Sequence, residues 1–342
     1  MENRILEHYL EEFQTGIDID PTEAASLFDA LISSDNQFLL TRVLLAWNEK
    51  KWTEEELFAF ASIMRERMKR INSRHEIFVD TVGTGGSKVK TFNVSTAAAF
   101  VTAGAGVAVA KHGNRAATSS SGSSDVLSEL GIDVDVDPAI SEQNLNEHGL
   151  CFMFAPRFHL LSQTLAKARR AVGEPTIFNN LGPLCNPASA PHHVIGVYDK
   201  HLLESTARVL SRLGARKSWV VYGENGLDEI ALNGTTLVAE VDGERIDVFE
   251  ITESDFGVSI AGNDLPSNCT AEESAKIIRA VVSNEMKERD VERLVLINAA
   301  AAIFVAGKRG TLADAYKLAE SSIRNGSALK KLDTLSANLR ND

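Results

Sequence analysis

The chain has 342 residues, 44% of them apolar, enough for two domains, or one large domain with a satellite, around a well-filled core. Its 35 Lys and Arg against 47 Asp and Glu leave a formal net charge of −12, which argues against general nucleic-acid binding, where a basic surface supplies most of the affinity. Small anionic ligands stay admissible, because a local cluster of donors suffices to hold them.

The N-terminus, MENRILEHYLEEF, carries acids and is amphipathic, so it reads as neither signal nor transit peptide. From there to about residue 72 the pattern is helical. Ile5, Leu6, Tyr9, Leu10 and Phe13 recur at helical spacing. Asp20-Pro21-Thr22-Glu23 has the order of a helix start, with a capping residue, proline at the first helical position and glutamate at the third. Thr53 with Glu56 is a second such signal, followed by Leu57, Phe60, Ile63 and Met64 on one face.

From residue 77 the pattern changes. IFVD, VAVA (107–110), CFMF (151–154), HHVIGVY (192–198) and SWVVYG (218–223) read as buried strands alternating with helices, which include 94–104, 123–130, 200–213 and 271–285. That alternation predicts an α/β domain with a mostly parallel central sheet. LVLINAAAAIFVAG (294–307) reads as a long buried helix, and the last dozen residues as a fraying end. No apolar run approaches membrane-spanning length. Cys151, Cys185 and Cys269 match no zinc spacing and suggest no disulfide framework, so they read as inert thiols of a soluble, cytoplasmic protein.

The densest chemical signal is DTVGTGGSKVKTFNVST, residues 80–96. A dinucleotide fingerprint begun at Gly83 and Gly85 would want glycine where Lys88 stands, and a Walker loop would place its lysine one position later. The stretch is therefore a phosphate cradle of another kind, or a tight turn. Asn93, Ser95 and Thr96 fall where the next helix begins; there they serve as ordinary caps or as added donors and metal ligands. A second segment, AKHGNRAATSSSGSSDVLSELG (110–131), crowds Lys111, His112, Asn114 and Arg115 before a small-residue loop ending in Ser123. SSSGSS alone reads as a flexible loop; between a strand and a helix, with Lys111 at the strand end, it resembles a second phosphate site.

In order along the chain stand GTGG…TFNVST, AKHGNR, SGSSDVL, FAPRFH, RR…TIFNNLGPLCNPA and GLDEIALNG. Together they resemble the anthranilate phosphoribosyltransferases, tryptophan-pathway enzymes that share a fold with nucleoside phosphorylases. The resemblance implies a small all-helical N-terminal domain plus a large α/β domain. It also implies phosphoribosyl pyrophosphate (PRPP) as donor, anthranilate as acceptor amine and Mg²⁺ as cofactor. PRPP would be bound by Gly83, Gly86, Ser87, Thr91, Asn93, Val94, Ser95, Thr96, Lys111, His112, Gly113, Asn114, Ser119 and Ser123. Anthranilate would meet Gly83, His112, Asn114, His159, Arg169 and Pro183, with the planar donors of Arg169 taking its carboxylate. Ser95, Asp228 and Glu229 would serve the metal, a set of hard oxygen ligands suited to magnesium, although an Asp-Glu pair by itself is a common surface dipeptide. Lys111 and Arg169 carry the catalytic assignment, with no protein nucleophile and no dedicated general base.

Three departures from the family pattern stand out. Ser87-Lys88 occupies the place where GTGGDG is common, which predicts altered magnesium dependence rather than lost activity. Lys88 and Lys90 either neutralise charge beside the diphosphate or are solvated. Leu160-Leu161-Ser162-Gln163 replaces Pro-Ala-Met-Lys, and Pro175 stands where arginine is common. Residues 1–72, joined by part of 165–185, are expected to form the helical domain and 73–342 the α/β domain, with a homodimer formed through the helical one. Two other readings stay open: a same-fold phosphoribosyltransferase or nucleoside phosphorylase with another acceptor, and a non-catalytic relative that binds nucleic acid. The acidic balance, with Asn114, Arg169, Asp228 and Glu229 all present, counts against the last.

Overall fold

A computed structural model describes residues 2–87, 89, 91–115, 121–262 and 264–337. Four helices open the chain: α1 (Glu2–Gln14), α2 (Ala24–Ser33), α3 (Gln37–Lys50) and α4 (Glu54–Arg67). The capping box at α4 is complete. Thr53 Oγ1 accepts the Glu56 N–H at 3.2 Å, and Glu56 Oε2 accepts the Thr53 N–H at 2.9 Å. Glu56 also accepts from the Ile19 N–H, Trp47 Nε1 and Lys50 Nζ, so its buried charge is fully met and ties α3, α4 and the loop before α2 together. The signal at Asp20 works differently from expectation. Asp20 Oδ1 takes the Thr22 N–H and hydroxyl in a local turn, and Glu23 accepts from the Tyr9 hydroxyl, so α2 begins only at Ala24.

The α/β region runs β1 (Phe78–Gly83), α5 (Val94–Gly104), β2 (Ala108–Gly113), α6 (Ser123–Glu129), α7 (Pro138–His148), β3 (Leu150–Phe154), α8 (Ala155–His159), α9 (Gln163–Val172), α10 (Ile177–Leu184), β4 (His192–Gly196), α11 (Leu202–Arg212) and β5 (Lys217–Gly223). Then follow β6 (Thr236–Asp242), β7 (Arg245–Ile251), α12 (Ala271–Val282), α13 (Arg289–Val305), α14 (Leu312–Arg324) and α15 (Ser327–Ala337). The sheet order is β3-β2-β1-β4-β5-β6-β7. The first five strands are mutually parallel, and β6 and β7 add antiparallel to β5. Chain order leaves β1 toward β2 and β3 on one side, then resumes with β4 on the other. The point where the winding reverses, between β1 and β4, is where open α/β sheets place ligands.

Helices cover both faces. Val194, Trp219 and Val221 pack with α5 and α13 on one side. Their strand neighbours Ile195 and Val220 join a second core with α11, α9, α10 and the four N-terminal helices. In α13 the run Ala299–Ala302 is fully buried, as expected for a helix that lies close to a neighbour, here α5.

The sheet is mostly parallel, as expected, and β6 and β7 add an antiparallel hairpin turning at Gly243, whose φ of 63° is left-handed. One expectation needs correction. Residues 331–337 are helical, with Leu332 and Leu335 buried, so the end of α15 is docked; the last five residues lie outside the described ones. Among the described residues no helix is long and apolar enough to cross a membrane.

Candidate active site

At the carboxyl ends of the parallel strands lies a cavity of about 630 Å³. Glycines make room for it. Gly83 and Gly196 are paired across β1 and β4, and the loop after β5 lies directly over them. A Cβ on Gly196 would overlap the Asp228 backbone, and one on Gly83 would stand 2.6 Å from Asp228 Oδ2. Only bare backbone at these strand ends lets the acid pair reach the glycine turn. Gly85 and Gly86 have φ of 64° and 82°, values that side chains resist, and Gly86 is pressed against Pro175.

The acid loop is held from both ends. The Gly223 N–H donates to the Leu227 carbonyl at 2.8 Å. Buried Asn298 of α13 accepts the Ile230 N–H at 3.0 Å and donates back to the Ile230 carbonyl at 3.1 Å. So fixed, Asp228 Oδ2 accepts the Gly85 N–H at 3.2 Å, and Glu229 Oε2 accepts from Thr91 Oγ1 at 3.3 Å. Burial and the neighbouring Asp228 push the Glu229 carboxyl well above the usual carboxylate range, while Thr91 and Lys111 oppose them. A two-acid pair strained in this way is chemically suited to a hard divalent cation that completes its shell with water and phosphate oxygens. Among the described residues no cluster of three or more His, Cys, Asp or Glu side chains offers an all-protein metal cage.

Lys111, near the end of β2, is buried and points between the two loops. Its Nζ donates to the Thr81 carbonyl and to Ser95 Oγ, the latter at 3.2 Å. Burial lowers it to about 8, against the pull of Asp80, Glu229 and Asp228. Both ring nitrogens of the next residue, His112, face oxygen. Nδ1 lies 2.6 Å from Asp80 Oδ2, and Nε2 lies 2.6 Å from the Gly182 carbonyl. Asp80 is itself fixed by Asn186 Nδ2 at 2.7 Å.

On the far wall, Arg169 of α9 lies over the Phe178 ring, 5.4 Å from its centroid. Burial lowers the guanidinium to about 10, and no carboxylate pairs with it among the described residues. A burial-strained cation that faces a cavity and lacks a counter-ion is a receptor for an anion. His159 stands near, its ring edge-to-face with His112 and its Nε2 2.9 Å from the Cys185 carbonyl. Burial, then the charges of His112 and Arg169, lower it to about 3, so it is neutral and keeps Nδ1 as an acceptor.

Of the residues singled out in the sequence, Gly83, Gly86, Ser87, Thr91, Asn93, Ser95, Lys111, His112, Gly113, Asn114, Ser123, His159, Arg169, Pro183, Asp228 and Glu229 line this one cavity. Val94 and Thr96 do not. They are buried in the first turn of α5, behind Asn93 and Ser95. Ser119, Lys88 and Lys90 lie outside the described residues. Ser87 Oγ sits 2.6 Å from the Val89 carbonyl and 2.7 Å from that of Gly226, so it ties the glycine turn to the acid loop. Sequence reading missed Gly196, Asn298, Asn179 and Met64, the last a core residue of α4 by spacing that also lines the cavity. For Gly196 a signal existed, a glycine near the end of a buried apolar strand; for the others nothing local marked the role.

Residues 75–329 match the glycosyl transferase family, a/b domain. The chain is 43% identical over 335 residues to the anthranilate phosphoribosyltransferase of Moorella thermoacetica, covering 97% of this chain and 98% of that one. It superposes on the enzyme of that name from Thermus thermophilus with a TM-score of 0.88, at 34% identity, over 97% of this chain and 99% of the other. The Saccharomyces cerevisiae anthranilate phosphoribosyltransferase, solved in complex with PRPP and Mg, gives a TM-score of 0.86 at 25% identity, over 99% and 98% of the two chains.

Proposed function

The chain belongs to the anthranilate phosphoribosyltransferases, enzymes of tryptophan biosynthesis that move the phosphoribosyl group of PRPP to the amine of anthranilate and release pyrophosphate, and we propose that the cleft described above holds both substrates of that reaction. One observation carries this reading. A single cavity joins the buried Lys111 ammonium and the Asp228–Glu229 pair to the Arg169 guanidinium, which has no carboxylate partner among the described residues.

The glycine turn at 83–87, Thr91, Asn93 and Ser95 take the donor's diphosphate and ribose, with Val94 and Thr96 supporting the α5 start from behind and Lys111, His112, Gly113, Asn114, Ser119 and Ser123 completing the cradle. Asp228 and Glu229, with Ser95, hold Mg²⁺, which when bound neutralises charge on the departing pyrophosphate. Lys111 adds a fixed cation beside the same oxygens. Arg169 takes the anthranilate carboxylate, with Asn114, Gly83 and Pro183 around the ring. His112 acts through its grip on the Gly182 carbonyl, which sets the pocket wall. His159, kept neutral by burial, offers an acceptor near the amine; as the C1–N bond forms and the C1–O bond to pyrophosphate breaks, the acidic arylammonium proton passes to the departing pyrophosphate or to solvent, so no strong base is needed. Catalysis is then positioning plus stabilisation of the leaving group.

We assign residues 1–72 with part of 165–185 to a helical domain and 73–342 to the α/β domain; α9 packs on α3 and α10 on α4, in support. The acceptor then lies between them, where closure excludes water. A homodimer through the helical domain accords with Phe38 and Ile17, 73% and 50% exposed there, and the protein is assigned to the cytoplasm.

The test is loss of anthranilate fluorescence with purified protein, PRPP and Mg²⁺, each omitted in turn. Loss that needs all three is expected; loss indifferent to PRPP or metal would overturn the site reading. Gly196→Ala supplies a structural check. It should cut turnover by at least about tenfold, because its Cβ must displace Asp228, while far-UV circular dichroism stays that of the parent.

A further inference from the structure

The two halves of the cleft belong to segments far apart in the sequence, yet α10 touches both. Its Phe178 lies under Arg169, and its Gly182 and Pro183 form the acceptor wall. One residue of the same helix reaches the donor side. Asn179 Oδ1 accepts the Thr176 N–H at 3.0 Å, which fixes the orientation of the amide and directs Nδ2 onto the Thr84 carbonyl at 3.3 Å. Thr84 lies between Gly83 and Gly85 in the turn assigned to the diphosphate, and its own N–H is held by the Gly196 carbonyl at 2.8 Å. Two further contacts connect the same parts. Gly86 packs against Pro175, just before the helix, and His112 reaches the Gly182 carbonyl near its other end. Asn48 of α3 clamps the Pro175 carbonyl at 2.8 Å.

We propose that Asn179 is a positioning residue for phosphoribosyl transfer, which through the Thr84 carbonyl sets the register between the glycine turn and the acceptor wall on α10. The proposal rests on the site reading above. A glycine turn with two left-handed residues has little stiffness of its own, so its distance from the acceptor depends on what its carbonyls are tied to. The reacting amine and C1 of the ribose must meet within about 3–3.5 Å, and a displacement of about 1 Å costs roughly a hundredfold in rate. Asn179 need touch neither substrate to have that effect.

Two variants separate positioning from folding and from charge. Asn179→Asp keeps an oxygen for the Thr176 N–H, so the start of α10 stays capped, but it turns a carboxylate toward the Thr84 carbonyl. Asn179→Leu removes both bonds without adding charge. Both should lower the single-turnover rate at saturating PRPP, Mg²⁺ and anthranilate by about 10- to 100-fold. Asn179→Leu should leave both KM values within about threefold of the parent, since uniform binding is untouched. The melting temperature of Asn179→Asp should stay within about 2 °C of the parent. A normal single-turnover rate in Asn179→Leu would overturn the proposal, and so would a rate loss in either variant that only tracks the fraction unfolded. If Arg169→Ala in the same assay left the anthranilate KM unchanged, the site reading itself would have failed, a result distinct from failure of the Asn179 role.

Discussion

Asp228→Asn combined with Glu229→Gln should lower magnesium-dependent turnover by at least about a thousandfold, some 4 kcal/mol of transition-state stabilisation, and leave the protein folded. The two carboxyls are the acids that the β5 loop brings over the glycine turn, and they are the charged members of the proposed metal set. The amides keep similar shape and hydrogen-bonding reach, so the contacts to Gly85 N–H and Thr91 are not sterically disturbed. Stability should hold or rise. Glu229 has its carboxyl raised by burial and by Asp228, so ionising it costs the folded state. Stability tied to this group is present below its ordinary value near 4.5 and is lost as pH rises through its raised value, and glutamine does not titrate. Fluorescence assays across a magnesium titration, with thermal melts at neutral pH, read both effects. Turnover within about tenfold of the parent would remove the metal assignment.

Arg169→Ala should raise the KM for anthranilate by about 30- to 1,000-fold, the usual cost of losing one side of a buried charged pair, while the KM for PRPP stays within about threefold. The side chain sits on the acceptor wall over Phe178, away from the glycine turn. Its guanidinium is lowered only to about 10, so it is a full cation at working pH. The anthranilate KM should therefore show no rise attributable to Arg169 below about pH 9. Initial rates over both substrates at several pH values check this. Equal increases in both KM values would mean that Arg169 supports the whole cleft rather than the carboxylate.

What could be read from the sequence was whatever the chain encodes locally. The Thr53–Glu56 box, the strand-to-glycine break at Gly83 and the small-residue helix around Ala300 depend on near neighbours, and each formed where its spacing placed it. The Asp20 signal was also local, but its carboxylate closes a separate turn with Thr22, and α2 starts only at Ala24. The β6–β7 hairpin escaped because β7 is mostly solvent-exposed and lacks the continuous apolar run that marked the buried strands; its signals were the alternation of Ile246 and Val248 with Arg245 and Asp247, and the Asp242-Gly243 turn. For the site, Asp228-Glu229 and Arg169 are commonplace alone and became recognisable only as parts of an ordered set of motifs. The contacts that assemble them were not legible. Asp228 reaches Gly85 across 143 positions because β4 pairs with β1 and Gly196 has no side chain, and Asn298 secures the loop across 68.

The second core has a consequence for how the enzyme is made. Leucines and aromatics of α1–α4, such as Leu40, Trp47 and Phe60, share one cluster with Leu165, Leu181, Leu210 and Val241. A ribosome adding about 5–20 residues per second needs roughly 5–20 s to pass from the end of α4 to the first of those partners. During that interval the helices have emerged with part of their apolar surface still unmatched, the kind of surface that chaperones bind and that neighbouring nascent chains can capture. The part of the protein synthesised first is among the last to be finished, and the acceptor wall is completed with it.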